Sequence, residues 1–112
     1  AKAMAEAGAD AIIAHVGCTI GGSIGVTDAT VSMDDAVKAT QSIIDAGKSV
    51  RDDVIYLSHG GPILTPADAA YINEHTDTVG FVGASSLERM AVEQPLTELT
   101  QQFKSIPVKR IK

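Results

Sequence analysis

The fold of this 112-residue chain is decided by the stretch Ser58-His59-Gly60-Gly61-Pro62-Ile63-Leu64-Thr65-Pro66. The apolar run 54–57 leads into it, and Thr65 and Pro66 are residue types that begin helices. A strand, a histidine, two glycines and a helix start predict a turn at the carboxyl end of a buried strand. Glycines let the backbone approach a ligand or adopt positive φ, and a helix N-terminus directs free N–H groups outward. We therefore expect this turn to form one wall of an active or binding site.

Two further apolar runs, 11–17 and 78–82, predict buried parallel strands, because their hydrophobicity is continuous rather than alternating. The first run contains His15, and its alignment with the strand before the glycine pair places His15 and His59 at the same depth. Ligands bind at the carboxyl ends of parallel strands. The two histidines are therefore candidates for an acid–base pair, for two metal ligands or for donors to an anionic substrate. The alternative is two strand-end histidines with only local hydrogen bonds.

Helix signals alternate with these strands. Good helix formers without an N-cap before them predict the end of a helix at 1–7, and caps and apolar residues at helical spacing predict helices at 32–50 and 65–75. Ser85 and Glu88 have the spacing of a capping box, and Pro95 is expected to divide the last helical segment into a short and a longer helix. Strands that alternate with helices indicate a parallel sheet with right-handed crossovers.

Two features favour a barrel over an open sheet. The histidines share a depth, and the glycine turn after one strand is followed by Gly83-Ala84-Ser85-Ser86 and a short helix after the next. Barrel enzymes often bind phosphate with the loops after strands seven and eight and such a helix. The sequence thus predicts an α/β fold, the C-terminal portion (about three βα units, strands 6–8) of a (β/α)8 TIM barrel. Residues 1–112 would be a fragment of one domain whose N-terminal half is missing.

The candidate site consists of strand ends and the loops that follow them. His15 and His59 are the candidate catalytic residues. The candidate substrate-binding residues are Gly21, Gly22, Ser23, Gly60, Gly61, Gly83, Ala84, Ser85, Ser86 and Arg89. The glycines could serve turn geometry alone, the serines could only cap a helix, and the long loop 18–31 could be a flexible lid. Cys18 is interpreted as a bystander thiol, because no basic neighbour in sequence would lower its pKa.

The amino-acid composition limits the kinds of partner that we expect the protein to bind. A net charge of −5 argues against a nucleic-acid surface, and no apolar run approaches the ~20 residues of a membrane span. A single cysteine fits a reducing compartment, so the expected location is cytoplasmic. Three strands of a barrel would expose two sheet edges. We therefore expect the isolated chain to be poorly stable or to self-associate, and the protein to be a homo-oligomer.

Four motifs in order carry a family resemblance: the run from Ala5 to Gly17, Gly21-Gly22-Ser23-Ile24-Gly25, His59-Gly60-Gly61-Pro62-Ile63, and the run from Gly80 to Arg89. The chain resembles the phosphoenolpyruvate hydrolase-like family, also called the TIM-barrel signal-transduction family, over essentially its whole length. The resemblance implies a (β/α)8 barrel related to phosphoenolpyruvate and phosphonopyruvate enzymes, with both histidines and both glycine-containing turns at its mouth.

The resemblance also implies a function. We expect a hydrolase acting on a small phosphorylated or carboxylated keto-acid, with a non-catalytic ligand-sensing barrel that binds a small anion or a protein partner as the alternative. Related enzymes hold magnesium with carboxylates on earlier strands, and no carboxylate stands at a strand end here. The identity of the cofactor is not assigned. A divalent metal such as Mg²⁺ would need ligands outside this sequence, and no metal ligand is assigned within it.

Overall fold

The computed structural model describes residues 1–23, 25 and 31–108. Its elements, in chain order, are α1 (Lys2–Glu6), β1 (Ala11–His15), α2 (Met33–Lys48), β2 (Ile55–His59), α3 (Pro66–His75), α4 (Ser85–Glu88) and α5 (Met90–Lys104). The predicted α/β class is confirmed. The long loop predicted at 18–31 lies partly outside the described residues.

The two strands form a parallel sheet in which His15 is paired in register with His59. This confirms that the two histidines share a depth. The third predicted strand, at 78–82, is wrong as a strand: it pairs with β2 through one isolated bridge, between Ser58 and Phe81. Gly80, which has no side chain to pack, stands in the middle of that run and weakens it as a strand.

In the part of the chain that the structure describes, the helices cover one face of the sheet. Residues alternate along both strands, and the side chains of Ile12, Ala14, Tyr56 and Ser58 are buried on the helix side. Helix α2 supplies the largest surface against them through Ala36, Thr40, Ile44 and Gly47. The resulting core contains two clusters: Ala5, Ile12, Ile44, Val54 and Tyr56, and then Val16, Ala36, Ile63 and Ile72.

The other face of the sheet is open, and both histidines lie on it. It also carries Ile13 and Ile55, which are 47% and 50% exposed. Large aliphatic side chains on a strand face are normally buried, so we expect other parts of the protein to pack against this face. The prediction that it forms the interior of a barrel accounts for this exposure, and it remains a prediction.

Helices α2 and α3 begin where the sequence indicates. The Ser32 side chain accepts a hydrogen bond from the Asp35 N–H, and Thr65 and Asp68 form a complete capping box. Helix α2 ends at Lys48, two residues before the predicted end of its apolar stripe.

The C-terminal helices differ from the prediction. Ala84, not Ser85, is the N-cap of α4, and no side chain caps that helix. The break between α4 and α5 falls at Arg89, and Pro95 lies inside α5. Proline removes one hydrogen bond of the ladder, and an ion pair between Arg89 and Glu93 holds the turn just before it. Among the described residues, none of the helices is sufficiently long and apolar to cross a membrane.

Candidate functional site

The last residues of β1 and β2 place two imidazole rings together on the open face of the sheet. The ring centroids of His15 and His59 are 4.9 Å apart, with an interplanar angle of 65°. His15 is exposed and His59 is half-buried. Parallel pairing in this register therefore creates a two-histidine cluster at the edge of the sheet where such folds bind ligands.

Backbone groups give the two rings different hydrogen-bonding roles. His59 Nδ1 lies 2.6 Å from the carbonyl oxygen of Val82, which can only accept, so Nδ1 carries the proton. His15 Nδ1 accepts a hydrogen bond from the Gly17 N–H at 3.3 Å, so in the neutral ring the proton is on Nε2. The free Nε2 atom is thus an acceptor in His59 and a donor in His15. Side by side, the acceptor can take a proton from one group of a substrate while the donor hydrogen-bonds to negative charge on another.

The glycine pair after β2 packs against the loop after β1. Gly60 and Gly61 have φ of +79° and +57°, a region that L side chains rarely adopt. The Gly61 N–H donates to the Gly17 carbonyl oxygen at 2.8 Å. A side chain at Gly60 would meet the same carbonyl oxygen. The pair therefore shapes the ends of both strands, and one of its N–H groups is already engaged.

The turn 83–86 adjoins the histidines through Val82, whose carbonyl oxygen His59 binds. Ser85 and Ser86 are the first two residues of α4, and N–H groups at these positions have no preceding helical carbonyl to bind. All four residues of the turn are half-buried. The anion-binding role predicted for this turn remains a prediction, since α4 has only 4 residues.

Four other candidate residues, Gly21, Gly22, Ser23 and Arg89, meet in a second cluster. Arg89 Nη2 donates to the Gly21 carbonyl oxygen at 3.2 Å, and a side chain at Gly22 would overlap the guanidinium group. Glu93 completes the cluster: it accepts from Arg89 Nη1 at 2.8 Å and from the Ser23 N–H at 2.9 Å. These bonds, the one from Arg89 foremost, hold the pKa of Glu93 below its ordinary value.

Sequence reasoning missed Glu93. The signal was present, because Arg89 and Glu93 are four residues apart, the spacing at which opposite charges meet on a helix. The acid binds the arginine that was predicted to bind substrate. Among the residues that the structure describes, no hydrogen bond joins this second cluster to the two histidines.

A small apolar cavity lies between the loop after β1 and the turn after β2. It has a volume of about 210 Å³ and is lined by Val16, Gly17, Cys18, Ile20, Val31, Gly61 and Pro62. Val16 also belongs to the core cluster that contains Ala36, Ile63 and Ile72. Cys18 is exposed and has a free thiol.

The residues at the strand ends do not fit a magnesium site. Mg²⁺ prefers oxygen ligands, carboxylates above all, whereas β1 and β2 end in imidazoles followed by a valine and a glycine. Within residues 1–23, 25 and 31–108, no three histidine, cysteine, aspartate or glutamate side chains form a group that could hold a metal ion.

Comparison with known proteins supports the resemblance. The family model described as "Phosphoenolpyruvate hydrolase-like" matches residues 1–106. Two tomato (Solanum lycopersicum) proteins, ToMV susceptible protein tm-1(GCR26) and ToMV resistance protein Tm-1(GCR237), are each 53% identical over 107 residues, or 95% of this chain. A Sinorhizobium fredii protein named as a candidate transcriptional regulatory protein, y4pA, is 26% identical over 106 residues, again 95% of this chain.

These relatives are much longer than the chain. The chain spans 14% of each tomato protein and 17% of y4pA. The matched segment is therefore a small part of each relative, and the relatives' whole-protein properties do not transfer to it by similarity.

Proposed function

The chain belongs to the phosphoenolpyruvate hydrolase-like family, and on that premise we propose that it contributes to a cytoplasmic barrel enzyme that hydrolyses a small phosphorylated or carboxylated keto-acid. The observation that carries the proposal is the pair His15 and His59, whose rings lie 4.9 Å apart with a donor on one and an acceptor on the other. They lie where parallel α/β folds place ligands.

The two free nitrogens suit hydrolysis, which needs a base to take a proton from water and a donor to stabilise the negative charge on the leaving group. For a phosphorylated keto-acid, His59 Nε2 takes a proton from the attacking water as its oxygen bonds to phosphorus. The bond from phosphorus to the pyruvate portion breaks, and its electron pair passes to the enolate. His59, now protonated on Nε2, passes that proton to the enolate, while the Nε2–H of His15 donates a hydrogen bond to the negative charge without losing its proton. The half-buried turn 83–86 and Gly60 are proposed to hold the anion through N–H groups, where charge develops in the reaction.

The test measures release of pyruvate from phosphoenolpyruvate and from phosphonopyruvate by the full-length protein that carries this chain, with and without Mg²⁺. We expect turnover of at least one compound, and a decrease in kcat of about 10²–10⁴-fold for His59→Gln, as for loss of a general base. His75→Gln is the matched control, because His75 is exposed at the end of α3 and stacks on Tyr71. Absence of turnover of both compounds under both conditions contradicts the proposal.

A second candidate is a barrel that senses a ligand without turning it over. The names of the relatives favour it: one is named as a transcriptional regulatory protein, and two are named as ToMV susceptible and ToMV resistance proteins. It predicts saturable binding of a small anion by calorimetry, and no change in turnover between the full-length protein and its His59→Ala variant. Binding without hydrolysis would select this function over the enzyme.

A further inference from the structure

The ion pair between Arg89 and Glu93 is more enclosed than most pairs of its kind. Opposite charges four residues apart meet on any helix, and such pairs are usually solvated and contribute little to stability. Here the two side chains are only 19% and 22% exposed, and both bind the loop after β1. The loop residues that they bind lie 68 and 70 positions away in the sequence. The pair therefore joins two distant parts of the chain.

The two charged groups use separate atoms for separate bonds. Arg89 Nη1 donates to Glu93 Oε1, which leaves Nη2 to donate to the Gly21 carbonyl oxygen. Glu93 Oε2 accepts from the Ser23 N–H. A guanidinium and a carboxylate each offer bonding positions in fixed directions, so these bonds do not compete with one another. Because each bond has a charged partner, it is stronger than a bond between neutral groups.

Gly22, between the two bonded loop residues, lets the backbone lie directly against the ion pair. Its φ is +75°, and a side chain at this position would overlap the Arg89 guanidinium. The Ile20 N–H donates to the Gly61 carbonyl oxygen at 3.3 Å, which fixes the preceding part of the loop to the turn after β2. Residues 20–23, called the loop segment below, are thus held at both ends.

The ion pair also lies beside one of the turns of the proposed site. Arg89 directly follows α4, whose first residues belong to the turn 83–86. On its other side this turn adjoins Val82, whose carbonyl oxygen binds His59. The turn is therefore flanked by a contact to a strand-end histidine and by a contact to the loop segment.

We propose that Arg89 and Glu93 are positioning residues that lock the loop segment to the turn 83–86, and that this lock preforms the anion site. The sequence predicts that both parts bind substrate, and a site whose parts are already ordered binds without the cost of ordering them. The inference rests on the proposed function in one respect, that the anion binds at this turn. The ion pair acts through the backbone that it holds and does not contact the substrate.

Hydrogen exchange tests the lock directly and without any substrate. In the full-length protein that carries this chain, Glu93→Gln removes the charge that holds the Ser23 N–H. We expect this amide, resolved by overlapping peptides, to exchange about 10–100-fold faster, as for loss of a hydrogen bond to a charged group. Glu98→Gln is the matched control, because it removes the same charge from an exposed position of α5 where the carboxylate accepts from Gln94. Unchanged exchange in Glu93→Gln, or an equal increase in Glu98→Gln, overturns the proposal.

Two alanine variants test the lock with the ion pair intact, and they decide the question even if Glu93→Gln does not fold. Gly21 and Gly22 have φ of +79° and +75°, so alanine has a similar backbone cost at either position. At Gly22 the methyl group would displace the guanidinium, whereas at Gly21 it would lie 3.5 Å from Met90, an ordinary contact. We expect the Ser23 amide to exchange faster in Gly22→Ala than in Gly21→Ala. Equal exchange in the two variants contradicts the lock.

The affinity for phosphoenolpyruvate shows whether the lock serves the site. It is measured as KM if the full-length protein turns the compound over, and as Kd by calorimetry if the protein only binds it. Glu93→Gln is expected to weaken this affinity about 10-fold, and to raise KM more than it lowers kcat, because the loop segment must then be ordered on binding. If Arg89 instead binds the anion and Glu93 competes for it, the same substitution strengthens binding.

Stronger or unchanged binding in Glu93→Gln therefore overturns the proposal. A full-length protein that neither binds nor hydrolyses phosphoenolpyruvate contradicts the proposed function, and the exchange of the Ser23 amide then still decides for or against the lock. Failure of the function and failure of the lock are thus read from different measurements.

Discussion

The roles assigned to His15 and His59 depend on one backbone group each. The Val82 carbonyl oxygen fixes the proton on Nδ1 of His59, and the Gly17 N–H occupies Nδ1 of His15. Neither histidine needs an acidic partner to be oriented, which is consistent with the absence of carboxylates from the ends of β1 and β2. The glycine turn after β2 supports the proposed site, because it packs on Gly17, the residue whose N–H binds His15.

Replacement of Gly60 tests how tightly that turn is packed. Gly60→Ala is expected to destabilise the protein by more than the ~1–2 kcal/mol that positive φ costs a residue with a Cβ, because its Cβ would also overlap the Gly17 carbonyl oxygen. Gly8→Ala is the matched control: Gly8 has φ of +87°, and no atom lies within 4 Å of the place its methyl group would occupy. Urea unfolding of both variants gives the comparison, and equal losses of stability would contradict the tight packing.

The positions of the two histidines were predictable, but their partners were not. Residue types and the alignment of two apolar runs were sufficient to pair His15 with His59, because register in a buried parallel sheet follows the hydrophobic pattern. The carbonyl oxygen of Val82 could not be identified in this way, since every residue has one. Glu93 was missed for a different reason: a helical ion pair is normally a solvated surface feature, and here it also binds the backbone of the loop after β1.

At the scale of elements, side-chain caps decide which boundaries sequence can locate. Helices α2 and α3 begin at Ser32 and Thr65, where a hydroxyl accepts a hydrogen bond from an N–H three residues later. Helix α4 has no such cap and begins one residue after its N-cap Ala84. Pro95 misled the prediction because proline in the second turn of a helix removes a single hydrogen bond, and the exposed α5 can accommodate its ring.

The cap of α3 predicts a dependence of stability on pH. Burial raises the pKa of Asp68, but hydrogen bonds from Thr65 and the Leu64 N–H outweigh it and hold the pKa below its usual 3.8. A carboxyl whose pKa is lowered on folding stabilises the protein above the unfolded-state pKa, and this contribution is lost as the pH falls through the folded-state pKa.

Asp68→Asn should therefore destabilise the protein at pH 7 by about 1 kcal/mol, the typical contribution of a cap, and the difference from wild type should shrink below about pH 4. Urea unfolding between pH 3 and 7 provides the measurement. Asp52→Asn, which removes an exposed carboxylate between α2 and β2, controls for the change in net charge. A difference between wild type and Asp68→Asn that is constant with pH would rule out the ionised cap as its cause.

At the scale of the whole molecule, the sheet has one covered face and one open face. The hydrophobic pattern predicted strands buried on both faces. Strand β1 carries aliphatic side chains on both, and β2 carries Tyr56 on the covered face and Ile55 and Leu57 on the open one. The described part of the chain supplies helices to one face alone, so Ile13 and Ile55 stay half-exposed. The barrel prediction explains this arrangement, since the open face would then line the interior. The arrangement itself depends on residues far apart in sequence, which local patterns do not specify.

The open face predicts that the 112-residue chain, produced alone, associates through its sheet. Exposed aliphatic strand faces and unpaired strand edges are contact sites for other chains. The measurement is sedimentation velocity over a range of concentrations, made on a chain that carries Leu99→Lys so that the exposed apolar residues of α5 contribute less. Ile13→Gln in this background should reduce association, because Ile13 is 47% exposed in the middle of the open face. Met4→Gln, at a 56% exposed position on α1, is the matched control and should not reduce it. A monomeric chain with a single sharp unfolding transition would show that the sheet is stable with this face open, and would remove the main physical reason to expect a barrel around it.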